Sequence, residues 1–209
     1  MATTDGRTAA RGMRTDARRN RDHLVAVAEE TLAELGPEAS LNQIARRAGV
    51  GPGTLYRHFP TRDALLAAVL EDRIATLCAR ADDLRASATP DTALAAWLRA
   101  FLDHARLNQA MAGALMAAHA AVSGTDCHQV IRDATADLLT GAQSAGTARA
   151  DLTAPDLIQL VVGIALATAH DDDPEQPERL LALVQDAIFT GPSRRRESAR
   201  TVAVDIQQP

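Results

Sequence analysis

Four side chains able to hold phosphate or read a base edge, Thr54, Tyr56, Arg57 and His58, stand together in the stretch GPGTLYRHF, residues 51–59. The chain has one Tyr, one Trp and three Phe in 209 residues, so Tyr56 and Phe59 three apart form a local concentration. Place Leu55 at the centre of a buried helical face and step about 100° per residue. Phe59 and Gly51 then fall beside Leu55, Gly53 and Arg57 fall opposite, and Thr54 and Tyr56 take the two flanks. Such a helix is anchored by Leu55 and Phe59 and shows Thr, Tyr and Arg to solvent. An arginine so placed can take guanine through two parallel hydrogen bonds, while Thr and Tyr hydroxyls hold phosphates. Gly53 lets a partner approach the backbone closely. His58 falls nearer the buried rim than the open face.

The elements that must position this helix are legible on either side. Leu24, Val27, Ala28, Thr31 and Leu35 follow helical spacing over Thr15–Leu35, and Gly36-Pro37 ends that helix. Ser40-Leu41-Asn42-Gln43 has the form of a capping box, in which the Ser hydroxyl serves the Gln43 amide and the Gln side chain reaches back. The helix it opens buries Leu41, Ile44, Ala45 and Ala48 and shows Asn42, Gln43, Arg46 and Arg47. Gly49 closes it after about two turns. Gly51 and Pro52 suit the N-cap and first position of the next helix, which ends before Pro60. Thr61 caps a further helix with Asp63 in its first turn. Two short helices on a glycine turn, the second presenting Thr, Tyr and Arg, make a helix-turn-helix whose second helix enters a major groove. The bland alternative, an ordinary glycine-flanked surface helix, does not account for the capped helix in front.

The run from Leu24 to Leu70 closely resembles the DNA-binding domain of TetR-family transcriptional regulators. The matching residues are LVAVAEETLAELG and SLNQIARRAGVGPGTLYRHFPTRDALLAAVL, with GTLYRHF followed by TRDALL the most specific part. The resemblance covers about a quarter of the chain. It implies that Ser40, Asn42 and Gln43 lie at the phosphate and groove edge, and that Gly51, Pro52, Gly53 and Thr54 begin the recognition helix. It implies phosphate clamps at Tyr56 and His58, with Arg62 in a phosphate-binding place usually held by Lys. Pro52-Gly53 carries no base-reading side chain, so direct readout rests on Asn42, Thr54 and Arg57. Arg7, Arg11 and Arg14 in the polar segment 1–14 read first as a solvated flexible arm, with a minor-groove contact as the alternative.

The remainder is helical in pattern, with no sustained period-two alternation. Helices are expected over Ala64–Arg85, Asp91–Leu107, Ala110–Val122, Asp126–Ala142, Thr153–His170 and Pro177–Phe189. The fold class is all-α: an N-terminal three-helix DNA-binding domain over 15–62 and a larger helical body over 63–190, about nine helices in all. Residues 191–209 are polar, Arg-rich and expected to be disordered. Thr153–His170 is apolar on several faces, with Leu157, Leu160, Val161 and Ile164, and Pro177–Phe189 adds Leu180, Leu183, Val184 and Ala187. Two such helices from each of two subunits suit a four-helix dimer interface, the alternative being a core helix within one protomer. Trp97, Phe101, His104, Met111, Leu115, Met116 and His119 combine bulky, soft and hydrogen-bonding side chains among many Ala. They suit a pocket for a largely apolar small molecule, or plain core packing position by position.

Composition closes off other classes. Net charge is −5, with 46% hydrophobic and 23% charged residues, which argues against coating nucleic acid by bulk charge. Residues 1–65 hold ten Arg against eight acidic residues, and residues 66–209 twelve against nineteen, a basic front on an acidic body. Cys78 and Cys127 form no metal or disulfide pattern. A metal-sensing role for His104, His119, Cys127 and His128 meets poor ligand spacing, and no metal or cofactor is expected. No paired-carboxylate, Ser/His or glycine-rich phosphate signature points to an enzyme, and Asp171-Asp172-Asp173 reads as a solvated turn. Leu157–Ala169 is too short to span a bilayer and no apolar leader opens the chain, so the expectation is a cytoplasmic regulator binding double-stranded operator DNA as a homodimer under small-molecule control.

Overall fold

The computed structural model describes residues 5–36, 38–117 and 127–189, with side chains described over 16–36, 38–108 and 129–189. Eight helices occupy them: α1 (Asp5–Leu35), α2 (Leu41–Arg47), α3 (Pro52–His58), α4 (Arg62–Ser87), α5 (Pro90–Ala117), α6 (Cys127–Ser144), α7 (Ala154–Ala167) and α8 (Gln176–Ile188). No strand occurs among the described residues, which agrees with the all-α expectation. Two helices run longer than the patterning indicated. α1 begins at Asp5, so most of the segment read as a flexible arm is helical; Ala and Arg there have high helix propensity. α5 passes through Asn108 and Gln109 without a break, since neither Gly nor Pro interrupts it, and merges two expected helices into one. The segments 118–126 and 190–209, the latter holding the expected tail, lie outside the described residues.

Packing divides the chain into two compact units, Met1–Arg73 with Ala110–Ser123, and Ile74–Gln109 with Gly124–Pro209. The division falls inside α4, between Arg73 and Ile74, and α4 runs unbroken across it.

The first unit is built on α1, α2, α3 and the start of α4. Leu24, Ala28, Ile44, Ala45, Leu55, Phe59, Leu65 and Val69 form one buried cluster. Each large side chain contributes about 1.5–3 kcal/mol by leaving water. Gly36 and Gly49 adopt φ of 81° and 68°, conformations that cost an L side chain energy. At Gly49 the turn is a Schellman motif: Val50 N–H donates to Ala45 O at 3.0 Å and Gly49 N–H to Arg46 O at 3.2 Å. Arg73, 7% exposed, joins α4 to α1 through Nε to Glu29 Oε1 at 2.9 Å.

In the second unit α7 packs against α6 and α8. Its core includes Leu94, Trp97, Leu98, Leu102, Leu138, Leu157, Val161 and Leu181. Thr153 caps α7 in a capping box with Asp156, and Pro155 sits in its first turn. Gln185 Nε2 donates to Ala95 O at 3.0 Å and Arg99 Nε to Glu178 Oε2 at 2.8 Å, tying α8 to α5. The Asp171–Asp173 turn is held by its own carboxylates: Asp171 Oδ1 accepts from Asp173 N at 2.9 Å and Asp173 Oδ2 from Arg179 at 2.6 Å. The Arg179 side chain, followed by the backbone amide of Glu175, keeps the Asp173 carboxyl below its ordinary range.

Candidate nucleic-acid interface

The site is assembled from α2, the Gly49 turn and α3. Ser40 Oγ accepts from Gln43 N–H at 3.2 Å, and Gln43 Oε1 accepts from Ser40 N–H at 2.9 Å, so the expected capping box is present in full. The Gln43 carbonyl oxygen is thereby occupied, and what this side chain offers outward is its NH2 group. Asn42 and Gln43 are exposed, while Ile44 and Ala45 are buried beneath them.

α3 starts at Pro52 after an extended Gly51 and has no side-chain cap. Leu55 is fully buried and Phe59 2% exposed, which seats α3 on the unit as its wheel requires. Tyr56 is 46% exposed, Arg57 is exposed, and Thr54 is half-buried at the flank. A Cβ at Gly51 or Gly53 would meet nothing within 4 Å, so the outer face of α3's first turn is open. Arg57 lies along this face, Nε donating to Gly53 O at 3.3 Å and Nη2 to Thr54 Oγ1 at 3.5 Å. Both bonds are long and exposed, so the guanidinium can leave them at little cost. His58 is half-buried with its ring centroid 6.4 Å from that of Phe59, at the rim rather than on the open face.

Arg62, expected at a phosphate, is engaged within the protein. Its Nη1 donates to the Ala39 carbonyl at 2.7 Å, and among the described residues its Nη2 is buried without a hydrogen-bond partner. Arg21 is a residue that sequence reasoning missed: its guanidinium stands over the Phe59 ring at 5.3 Å from α1. Arg73 is another: it is the buried ion-pair partner of Glu29. Neither contact leaves a local sequence signal, because both join residues far apart in the chain.

Of the residues suggested for an effector pocket, Trp97, Phe101 and His104 follow one another along α5. Trp97 is fully buried and Phe101 4% exposed, their ring centroids 6.3 Å apart and nearly parallel. His104 stacks on Phe101 at 6.5 Å and is bonded to Asn108 at 3.0 Å one turn on. Thr135, missed at the sequence level, accepts the Trp97 Nε1 hydrogen at 3.0 Å. A lone hydroxyl between Ile131 and Leu138 on a buried face was the signal that could have found it. The side chains of Met111, Leu115 and Met116, and the whole of His119, lie outside the described residues. Among the described residues no group of three His, Cys, Asp or Glu is placed to hold a metal ion, and no helix is long and apolar enough to cross a membrane.

The interface set on α7 and α8 divides in two. Leu157 and Val161 are fully buried and Ile164 is 8% exposed, so these three pack inside the protomer. Leu160 at 42% and Leu183 at 66% exposure face outward, with Ala187 exposed and Leu180 and Val184 half-buried; Leu166, outside the expected set, is 63% exposed. The correction follows from α7 being apolar nearly all round: periodicity alone does not say which side meets the rest of the protomer.

Comparison with known proteins agrees with this geometry. Residues 24–69 match the family model described as bacterial regulatory proteins, tetR family. Residues 89–188 match a second, described as transcriptional regulator SbtR-like, C-terminal domain. The crystal structure of a TetR transcriptional regulator from Streptomyces coelicolor is 41% identical, covers 81% of this chain and 98% of that one, and superposes with a TM-score of 0.70. A TetR transcription regulatory protein from Mycobacterium vanbaalenii is 33% identical over 85% of this chain and 99% of its own, with a TM-score of 0.69. An HTH-type transcriptional regulator of Staphylococcus aureus (strain USA300) is 42% identical over 60 residues, which are 28% of this chain and 32% of that protein. The chain therefore spans about a third of the length of the curated relatives it matches. With both family models and two regulators matched over almost their whole length, the chain belongs to the TetR family of DNA-binding transcriptional regulators.

Proposed function

We propose that the protein is a dimeric repressor that leaves a palindromic operator when a small, largely apolar molecule binds its helical body. The observation that carries this reading is the outer face of α3. Tyr56 and Arg57 are exposed, Gly51 and Gly53 leave open space, and Leu55 and Phe59 hold the helix from beneath. Asn42, Thr54 and Arg57 supply base-edge contacts, with Gln43 at the groove edge, Ser40, Tyr56 and the rim residue His58 at phosphates and the Gly51-Pro52-Gly53 backbone against the groove. Two copies of this face span successive major grooves about 34–36 Å apart. Dimerisation through α7 and α8 is supported by the outward Leu160, Leu166 and Leu183. The effector is sensed among helices of the second unit, near Trp97, Phe101 and His104. α4 begins in the first unit and ends in the second, which suits it to carry the change. An effector that prefers a second arrangement of the body lowers DNA affinity by that preference and no more.

The test is selection of genomic fragments by purified protein at near-physiological salt, followed by sequencing and a screen of apolar metabolites for release. A recovered palindrome with half-sites one helical turn apart supports the reading. Recovery of nothing above random DNA in the presence and absence of candidate effectors overturns it.

A further inference from the structure

Arg62, the first residue of α4, is half-buried, and one of its terminal nitrogens is fully enclosed. Its Nη1 donates to Ala39 O at 2.7 Å across 23 residues, and Ala39 itself is 4% exposed. The carbonyl it holds belongs to the same peptide plane as the Ser40 N–H, which donates to Gln43 Oε1 at 2.9 Å. That peptide is thus gripped at both ends, by α4 through Arg62 and by α2 through Gln43. A guanidinium on the carbonyl also polarises the amide and strengthens the capping bond. Helix stability does not account for this arginine: a cation in a first turn opposes the helix dipole, and a buried donor without a partner is costly. One terminal nitrogen is spent on Ala39 and the other is shielded, which leaves this guanidinium few donors for a phosphate.

We infer that Arg62 is a positioning residue for operator recognition. It fixes the peptide that opens α2, and with it the aim of Asn42 and Gln43, to the start of α4, instead of binding a DNA phosphate. Any displacement of α4 is thereby transmitted to the entrance of the helix-turn-helix. The inference rests on the DNA-binding reading above, and one arm of its test is independent of DNA.

The experiment compares full-length wild type, Arg62→Met and Arg62→Lys on the selected operator duplex and on a random duplex of equal length across a salt series. A lost phosphate contact lowers the slope of log affinity against log salt by roughly 0.9 per contact and weakens both duplexes alike. A lost positioning contact leaves the slope at its wild-type value and lowers the operator-to-random preference, by roughly tenfold. Arg62→Lys keeps the charge without the planar fork, so a reduced preference at unchanged slope is expected there too. The DNA-free arm is amide hydrogen exchange: Gln43 and Ile44 at the start of α2 are expected to exchange faster in Arg62→Met than in wild type. A reduced slope with unchanged preference, with Arg62→Lys behaving as wild type, overturns the inference. So does unaltered exchange at Gln43 and Ile44, even if wild type proves to select no sequence.

Discussion

The indole Nε1 of Trp97 on α5 donates to Thr135 Oγ1 on α6 at 3.0 Å, and both side chains are 0% exposed. The same hydroxyl donates to Ile131 O at 2.7 Å, so one buried oxygen completes a chain of two hydrogen bonds. Thr135→Val keeps the shape and removes both. It leaves the indole N–H unpaired, at a cost of about 1–3 kcal/mol. For a chain of this size the melting midpoint should fall by roughly 2–4 °C per kcal/mol. Trp97 is the only tryptophan, so its fluorescence reports this change directly. An unaltered midpoint in calorimetry would show that the bond contributes nothing.

Among the described residues Arg57 is held by two long, exposed contacts on its own helix, to Gly53 O and Thr54 Oγ1. It is expected to exchange them for a base edge. Arg57→Ala should cost about 1–3 kcal/mol on the operator and relax the preference at one base position. Binding assays on single-base operator variants check this. Equal losses on operator and random DNA would remove Arg57 from the reading set and leave it a backbone contact.

Among the described residues Leu166 and Leu183 are the most exposed large apolar side chains, at 63% and 66%. Neither supports the protomer core, so a charge at either site should leave folding nearly unchanged. In a dimer it would bury an unpaired carboxylate, which is strongly unfavourable. Leu183→Glu and Leu166→Glu are expected to yield folded monomers by sedimentation, with operator affinity reduced through loss of the second half-site. A dimer that persists in both variants would locate the interface elsewhere.

Asp156 closes the α7 capping box. Its Oδ2 accepts from Thr153 Oγ1 at 2.6 Å and from Thr153 N–H at 2.9 Å. The Thr153 side chain first, and then its backbone amide, hold the Asp156 carboxyl below its ordinary range. A carboxyl whose pKa is depressed by folding contributes stability that is present above the unfolded value of about 4 and lost as pH falls through the folded value. Asp156→Asn should therefore lower the melting midpoint at neutral pH, and the gap from wild type should narrow as pH drops below about 4. A gap that stays constant down the pH series would mean that the carboxylate charge plays no part in the cap.

Much of the first unit was legible because its signals are local. The Ser40–Gln43 box, the Gly36 and Gly49 stops and Pro52 at the start of α3 act through bonds that close within a few residues. The Leu55 and Phe59 anchors follow from helical periodicity, and both are buried as that periodicity requires. Elsewhere the same reasoning found the helices but not all of their limits. At Asn108 and Gln109 nothing forces a break and nothing forbids one, so continuity through α5 is settled by the fold.

Sequence by itself determined the all-α class, the capped turn and the composition of the α3 face, since propensity, caps and period act over a turn or two. Only tertiary structure decided which side of α7 is interior. It sends Leu157 and Val161 into the protomer and Leu160 and Leu166 outward. It also decided that Arg62 reaches Ala39 across 23 residues and Trp97 reaches Thr135 across 38. A side chain that can serve several partners takes the one that folding brings within about 3 Å, and that partner is set by how helices pack rather than by spacing along the chain.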